Sequence, residues 1–248
     1  MTGQQTLWPL QPARPALRDD DVQVFRAALD QSPAVVRACL ELLAPAERER
    51  AEKFVFRKDR ERFVVARAAL RTLLGGYVRL APERLSFDYG PYGKPSLSDA
   101  QGLRFNVSHS RGLALYAVTR GREIGLDLEY VRDDVDVEQL AEHFFSRRET
   151  ATLSALPATE RKQAFFNCWT RKEAYIKARG EGLSHPLHGF DVTLAPGEPA
   201  ALLHTAGDER EAARWSLRQL NPDAGYAAAV AVEGHGWRLA CWQMSHFS

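Results

Sequence analysis

Gly125-Leu126-Asp127-Leu128-Glu129 is followed, about forty residues on, by Trp169-Thr170-Arg171-Lys172-Glu173-Ala174-Tyr175-Ile176-Lys177. In the first stretch Ile124, Leu126, Leu128 and Tyr130 alternate with Gly125, Asp127 and Glu129, which predicts a strand with both carboxylates on one face. Neighbouring carboxylates on one face repel unless water or a cation lies between them, and carboxylate oxygens suit hard ions such as magnesium. In the second stretch Phe165, Phe166, Trp169, Ala174 and Ile176 recur at helical spacing, with no Pro or Gly before Gly180, which predicts a helix. Trp169, Glu173 and Lys177 then share one stripe. Plainer readings stand beside these: an edge strand with solvated Asp127 and Glu129, and a surface ion pair in the favourable order from Glu173 to Lys177.

Further blocks lie on either side. They are Tyr92-Gly93-Lys94-Pro95, Phe105-Asn106-Val107-Ser108-His109-Ser110, Phe144-Phe145-Ser146 with Glu149, and Gly180-Glu181-Gly182-Leu183 before Pro186-Leu187. With Gly-x-Asp-x-Glu and Trp-x-x-Lys-Glu-Ala-x-x-Lys, this order resembles the signature of the 4′-phosphopantetheinyl transferases, and its details resemble the Sfp-type branch. The resemblance runs from about residue 43 to residue 192; the first forty and last fifty residues carry no motif that aligns.

The resemblance implies an α+β fold of two similar halves related by a pseudo-twofold, each a small sheet packed with helices. The division falls between 1–121, contributing to coenzyme A binding, and 122–248, with the metal site and catalytic helix. It implies transfer of the phosphopantetheine arm of coenzyme A to a serine of an acyl or peptidyl carrier protein. Asp127, Glu129 and Glu173 would hold magnesium, or manganese in its place. Glu173 is also the candidate general base, a role that competes with holding the ion, so that a water on the ion is the alternative route for the proton; Lys177 would stabilise charge on the leaving phosphate. Lys172 ranks behind Lys177, because a side chain one position away points elsewhere on a helix.

Ser108 and His109 belong to the coenzyme-binding set by the same resemblance, Lys94 is a further phosphate contact, and an alignment on Phe54 adds Arg50 and Arg62 at the phosphoadenosine end. Phe144, Phe145, Arg147 and Arg148 are candidates for docking an acidic carrier helix, with at least one of the phenylalanines in the core. Trp169 is expected to be a core residue fixing the helix of Glu173. A monomer in the cytoplasm is expected. Two alternatives remain: a metal-dependent phosphoesterase acting on a nucleotide pyrophosphate, and a non-catalytic module binding coenzyme A or a carrier protein. A serine hydrolase is disfavoured, because consecutive strand residues face opposite ways and no Gly-x-Ser-x-Gly elbow is present.

Composition bounds the rest. With 248 residues, 45% hydrophobic and 26% charged, the chain can bury a sizeable core and does not read as disordered. No apolar run approaches the roughly 18 residues of a membrane span, and the start lacks a signal-peptide core. The 33 basic and 32 acidic residues give a net charge of +1, which offers no global attraction to nucleic acid. Cys39, Cys168 and Cys241 form neither a metal spacing nor a disulfide framework.

Residues 1–21 are expected to run as an extended arm, with Trp8 and Leu10 against the body. Helices are expected at 33–42, then from Ala44-Pro45-Ala46-Glu47 to Arg79 with a break near Arg57–Asp59 and a candidate interruption at Gly75-Gly76. Residues 84–97 read as strand and turn. Phe105–Val118 and Arg122–Tyr130 read as two strands joined by a turn at Gly121, and helices follow at 137–154 and 159–179. Strands are expected at Phe190–Leu194, Trp215–Leu220, Tyr226–Val232 and Trp237–Gln243.

Overall fold

The structure is a computed structural model that describes residues 8–12, 16–98, 102–180, 182, 186–208 and 210–244. Its N-terminal half runs β1 (Asp21–Ala28), α1 (Pro33–Glu41), α2 (Pro45–Glu52), α3 (Arg57–Val78), β2 (Phe87–Tyr89), β3 (Pro95–Leu97), β4 (Leu103–Ser110) and β5 (Leu113–Arg120). The C-terminal half repeats the order. It runs β6 (Ile124–Tyr130), α4 (Val137–Phe144), α5 (Arg147–Ala155), α6 (Ala158–Arg179), β7 (Phe190–Val192), β8 (Leu202–Thr205), α7 (Glu211–Arg214), β9 (Trp215–Leu220) and β10 (Tyr226–Glu233), and β11 (Arg238–Gln243) follows.

β11, β1, β5 and β4 form one sheet in that order, and β6, β10 and β9 form a second. All neighbours are antiparallel except β1 and β11, which run parallel. Strand alternation divides the core into three. Ala114, Tyr116 and Val118 of β5 face α3, while Leu113, Leu115 and Ala117 turn the other way. Ile124, Leu126 and Leu128 of β6 meet that second set, so the two sheets lie face to face with helices outside each. A third cluster packs α4 and α6 against Ala227, Ala229 and Ala231 of β10.

Several sequence expectations are corrected. Phe105–Val118 is not one strand but a hairpin, turning at Arg111 (φ 50°) and Gly112. The break before the long helix lies at residues 53–56, and the helix passes through Gly75-Gly76 without interruption because tertiary packing overrides the weak propensity of glycine. Residues 137–154 hold two helices, since Ser146 caps a new one by accepting from the Glu149 amide. β1 and β8 had no counterpart in the sequence reading. Leu10 is 69% exposed and pairs only through its backbone with Gln243, whereas Trp8 donates to the Asn221 carbonyl.

Candidate active site

Gly125 brings β6 and α6 together. A Cβ at this position would lie 2.0 Å from the Ala174 carbonyl oxygen and 2.2 Å from the Ala178 nitrogen, so only glycine lets the helix backbone settle on the strand. That contact sets Glu173 and Lys177 against the face of β6 that carries Asp127 and Glu129. α6 ends at Gly180, which takes the left-handed conformation (φ 71°) that caps helices.

β6 is an edge strand, but Asp127 is 3% exposed and so is not solvated, while Glu129 is half-buried. Its Oδ1 accepts from Lys177 Nζ at 2.5 Å and from Ser108 Oγ at 3.1 Å. Its Oδ2 is buried and has no hydrogen-bond partner, and the same holds for Glu173 Oε1. Burial, Asp127 and Glu129 together raise the pKa of Glu173, against the pull of Lys177; burial and Asp127 raise that of Glu129. Buried polar atoms normally find partners, and these two carboxylate oxygens, within one crowded acidic cluster, have none.

Among the described residues, no three His, Cys, Asp or Glu side chains stand close enough to hold a metal as they are. The fit to a hard divalent ion rests instead on the donor chemistry: carboxylate oxygens from a strand and a helix, two of them unpaired, with the Lys177 ammonium as the nearest counter-ion.

The remaining predicted residues divide. His109 lies at a cavity of about 200 Å³ lined also by Leu29, Phe54, Phe63, Arg62 and Arg111. It reaches solvent, yet crowding by protein atoms, with Lys177 and Arg50 nearby, lowers its pKa. Arg50 stacks over Phe63 at 5.3 Å. Arg62 is engaged elsewhere, gripping Asp30 through two hydrogen bonds of 2.7 and 2.8 Å. Lys94 is also engaged, with Glu123 at 3.0 Å and the Ala178 carbonyl at 2.8 Å, so it ties its turn to the end of α6.

Lys172 is a correction. It is fully buried on the opposite side of α6, and its three ammonium protons go to Glu149 at 2.8 Å and to the Leu187 and Phe190 carbonyls at 2.7 and 2.5 Å, leaving none for a phosphate. Ser108 lies at the carboxylates: its hydroxyl gives its proton to Asp127 and accepts from the Leu128 amide at 3.1 Å and from Lys177 at 3.3 Å. Arg111, over the Tyr130 ring at 3.8 Å, is a cation of this region that sequence reasoning missed; it directly follows the Ser108-His109-Ser110 block.

Phe145 is core, while Phe144 is half-buried, edge-on to Trp169 at 5.5 Å. Trp169 is not fully buried. It lines an apolar pocket of about 200 Å³ with Val135, Leu140, Phe165 and Phe166, and Glu129 and Arg132 stand at the same pocket.

Comparison with known proteins decides the family. A family model described as the 4′-phosphopantetheinyl transferase superfamily matches residues 123–231, and one described as 4′-phosphopantetheinyl transferase, N-terminal, matches residues 30–120. The 4′-phosphopantetheinyl transferase HetI of Nostoc sp. is 42% identical over 241 residues, covering 96% of this chain and 98% of its own. The chain belongs to the 4′-phosphopantetheinyl transferase superfamily. Sfp of Bacillus subtilis is 31% identical over 155 residues, covering 62% of this chain and 68% of its own. The chain is accordingly an enzyme that transfers phosphopantetheine to carrier proteins, of the Sfp type.

Proposed function

We propose that this transferase takes the 4′-phosphopantetheine arm from coenzyme A, with Asp127, Glu129 and Glu173 holding a magnesium or manganese ion at the diphosphate. The carrying observation is the pair of buried, unpartnered oxygens, Asp127 Oδ2 and Glu173 Oε1, on separate elements that meet at Gly125. A divalent ion bound there supplies charge neutralisation to the diphosphate.

The carrier serine oxygen bonds to phosphorus as the bond from that phosphorus to the bridging oxygen breaks, and adenosine 3′,5′-bisphosphate departs with the electron pair. Glu173 takes the serine proton in this reading. Lys177 has a flexible four-carbon stem, and turning its ammonium from Asp127 to a phosphate oxygen offsets the developing charge. His109, Arg50 and Arg111 suit the phosphoadenosine end, grouped beside the cavity floored by Phe63.

The half-buried aromatic pair Phe144 and Trp169 with exposed Arg147 and Arg148 suits an acidic carrier helix. One chain holds the whole carboxylate set, which fits a monomer, and three free buried cysteines fit a reducing cytoplasm. Among the described residues no helix is long and apolar enough to cross a membrane.

Incubation with a carrier domain, coenzyme A and magnesium should add the arm's mass to the carrier serine. Asp127→Ala and Glu173→Ala should each lower the rate by about 10²–10³-fold or more with the fold intact by circular dichroism. A loss of only a few-fold would remove the assigned roles, and release of free phosphopantetheine without any acceptor would point to a phosphoesterase.

A further inference from the structure

β6 is an edge strand of its sheet, so the amides on its outer side have no backbone partner from a neighbouring strand. Side chains of β4 take their place. Leu126 N donates to Asn106 Oδ1 at 2.9 Å, Leu128 N to Ser108 Oγ at 3.1 Å, and Tyr130 N to Ser110 Oγ at 3.1 Å. Each rung joins residues twenty apart, so Asn106-x-Ser108-x-Ser110 runs in step with Leu126-x-Leu128-x-Tyr130. The two serines do more than accept. Ser108 Oγ donates to Asp127 Oδ1 and Ser110 Oγ to Glu129 Oε2, each at 3.1 Å.

We propose that Asn106, Ser108 and Ser110 are positioning residues: one side-chain ladder joins the two sheets and fixes one oxygen of Asp127 and of Glu129. The remaining oxygen of each carboxylate is thereby left for a cation. A hydroxyl that accepts from the amide of one residue while donating to the carboxylate of the residue before it locks that carboxylate's rotamer to the strand backbone. Asn106 stands a step earlier, level with Gly125, where there is no side chain to orient, so an acceptor alone suffices. The cation part of this inference rests on the metal reading above, and the ladder itself does not.

The test uses Ser110→Ala and Ser110→Thr in the full chain, because Ser110 is only half-buried and threonine keeps the hydroxyl in a residue suited to strands. Amide hydrogen exchange is followed by NMR without metal, and manganese binding is titrated by electron paramagnetic resonance with coenzyme A present. Ser110→Ala should speed exchange at Tyr130 by about tenfold and weaken manganese binding by about tenfold, and Ser110→Thr should restore both. Unchanged exchange at Tyr130 overturns the ladder. Faster exchange with wild-type manganese affinity overturns the positioning role and leaves the metal reading standing. Failure of the wild-type chain to bind manganese overturns the metal reading, and the positioning role with it.

Discussion

In the N-terminal half, Glu47 at the start of α2 accepts from the Ala44 amide at 2.9 Å and from Arg71 at 2.6 Å, and Arg71 also donates to the carbonyls of Pro82 and Leu85. In the C-terminal half, Glu149 at the start of α5 accepts from the Ser146 amide at 2.9 Å and pairs with Lys172, which also donates to the carbonyls of Leu187 and Phe190. Arg71 and Lys172 each stand fourteen residues beyond the first residue of a 22-residue helix. Both halves thus use one buried clamp to fasten a helix start, a long helix and the chain after it.

The chemistry is not duplicated. Tyr116 and Ala229 occupy the same place in the eight-residue strands β5 and β10, and they pair with Phe25 and Asp127 respectively. On the long helices Thr72 stands where Glu173 does, and Gly76 where Lys177 does. At the next equivalent position Gln23 bonds through its side chain to Tyr77, whereas Gly125 rests on the backbone at Ala178. A shared scaffold with the same clamp carries carboxylates only where glycine lets helix and strand touch.

The largest effect that would separate the halves lies in the clamps. Lys172→Met leaves Glu149, 1% exposed, without a cation, and should cost about 3–5 kcal/mol in denaturant unfolding. Arg71→Met should cost clearly less, because Arg67 also pairs with Glu47 and remains. Equal losses would mean that the second arginine contributes nothing and that the clamps are equivalent.

A smaller effect tests the close approach. Gly125→Ala forces α6 away from β6, at about 1–3 kcal/mol, and should lower kcat by more than the lost stability explains, since Glu173 and Lys177 move with the helix. Gln23→Ala, at the matching place in the other half, should lower stability and leave kcat unchanged. A kcat loss confined to the unfolded fraction in Gly125→Ala would break the link between this glycine and the site.

Much of this was legible in the sequence. Period-two alternation placed Asp127 and Glu129 on one face of β6, and the absence of breakers up to Gly180 placed α6 almost to the residue. β1 was not legible: it is central and buried on both faces, and its alternation over Asp21-Val22-Gln23-Val24 breaks at Phe25 after only four residues. The burial of Lys172 was hidden by its place beside Glu173, although the Ser146-x-x-Glu149 capping pattern marked where its partner lies. The ladder had a signal too, in Asn106, Ser108 and Ser110 at steps of two. A sequence shows that these share a face, but not that the face meets the edge of a strand in another sheet.

The smallest effect is a difference of sign with pH. Burial favours the neutral form of Glu47, but the hydrogen bonds from Arg71 and Arg67 outweigh it and hold its pKa below the usual carboxylate range. Its contribution to stability is therefore present at neutral pH and is lost as pH falls through that lowered value. Glu173 runs the other way. Its pKa is raised, so folding is most favoured where it can be protonated, and stability is lost as pH climbs from the ordinary value through the raised one. Without metal, Glu173→Gln should therefore melt a few degrees above wild type at pH 8, and the gap should close as pH falls towards 4. Glu47→Gln should melt below wild type at pH 8, with that gap also closing in acid. Thermal unfolding at both pH values, with chelator present, reads the two signs directly. A Glu173→Gln protein less stable than wild type at pH 8 would mean that Lys177 already satisfies the cluster, and that no positive charge is missing from it.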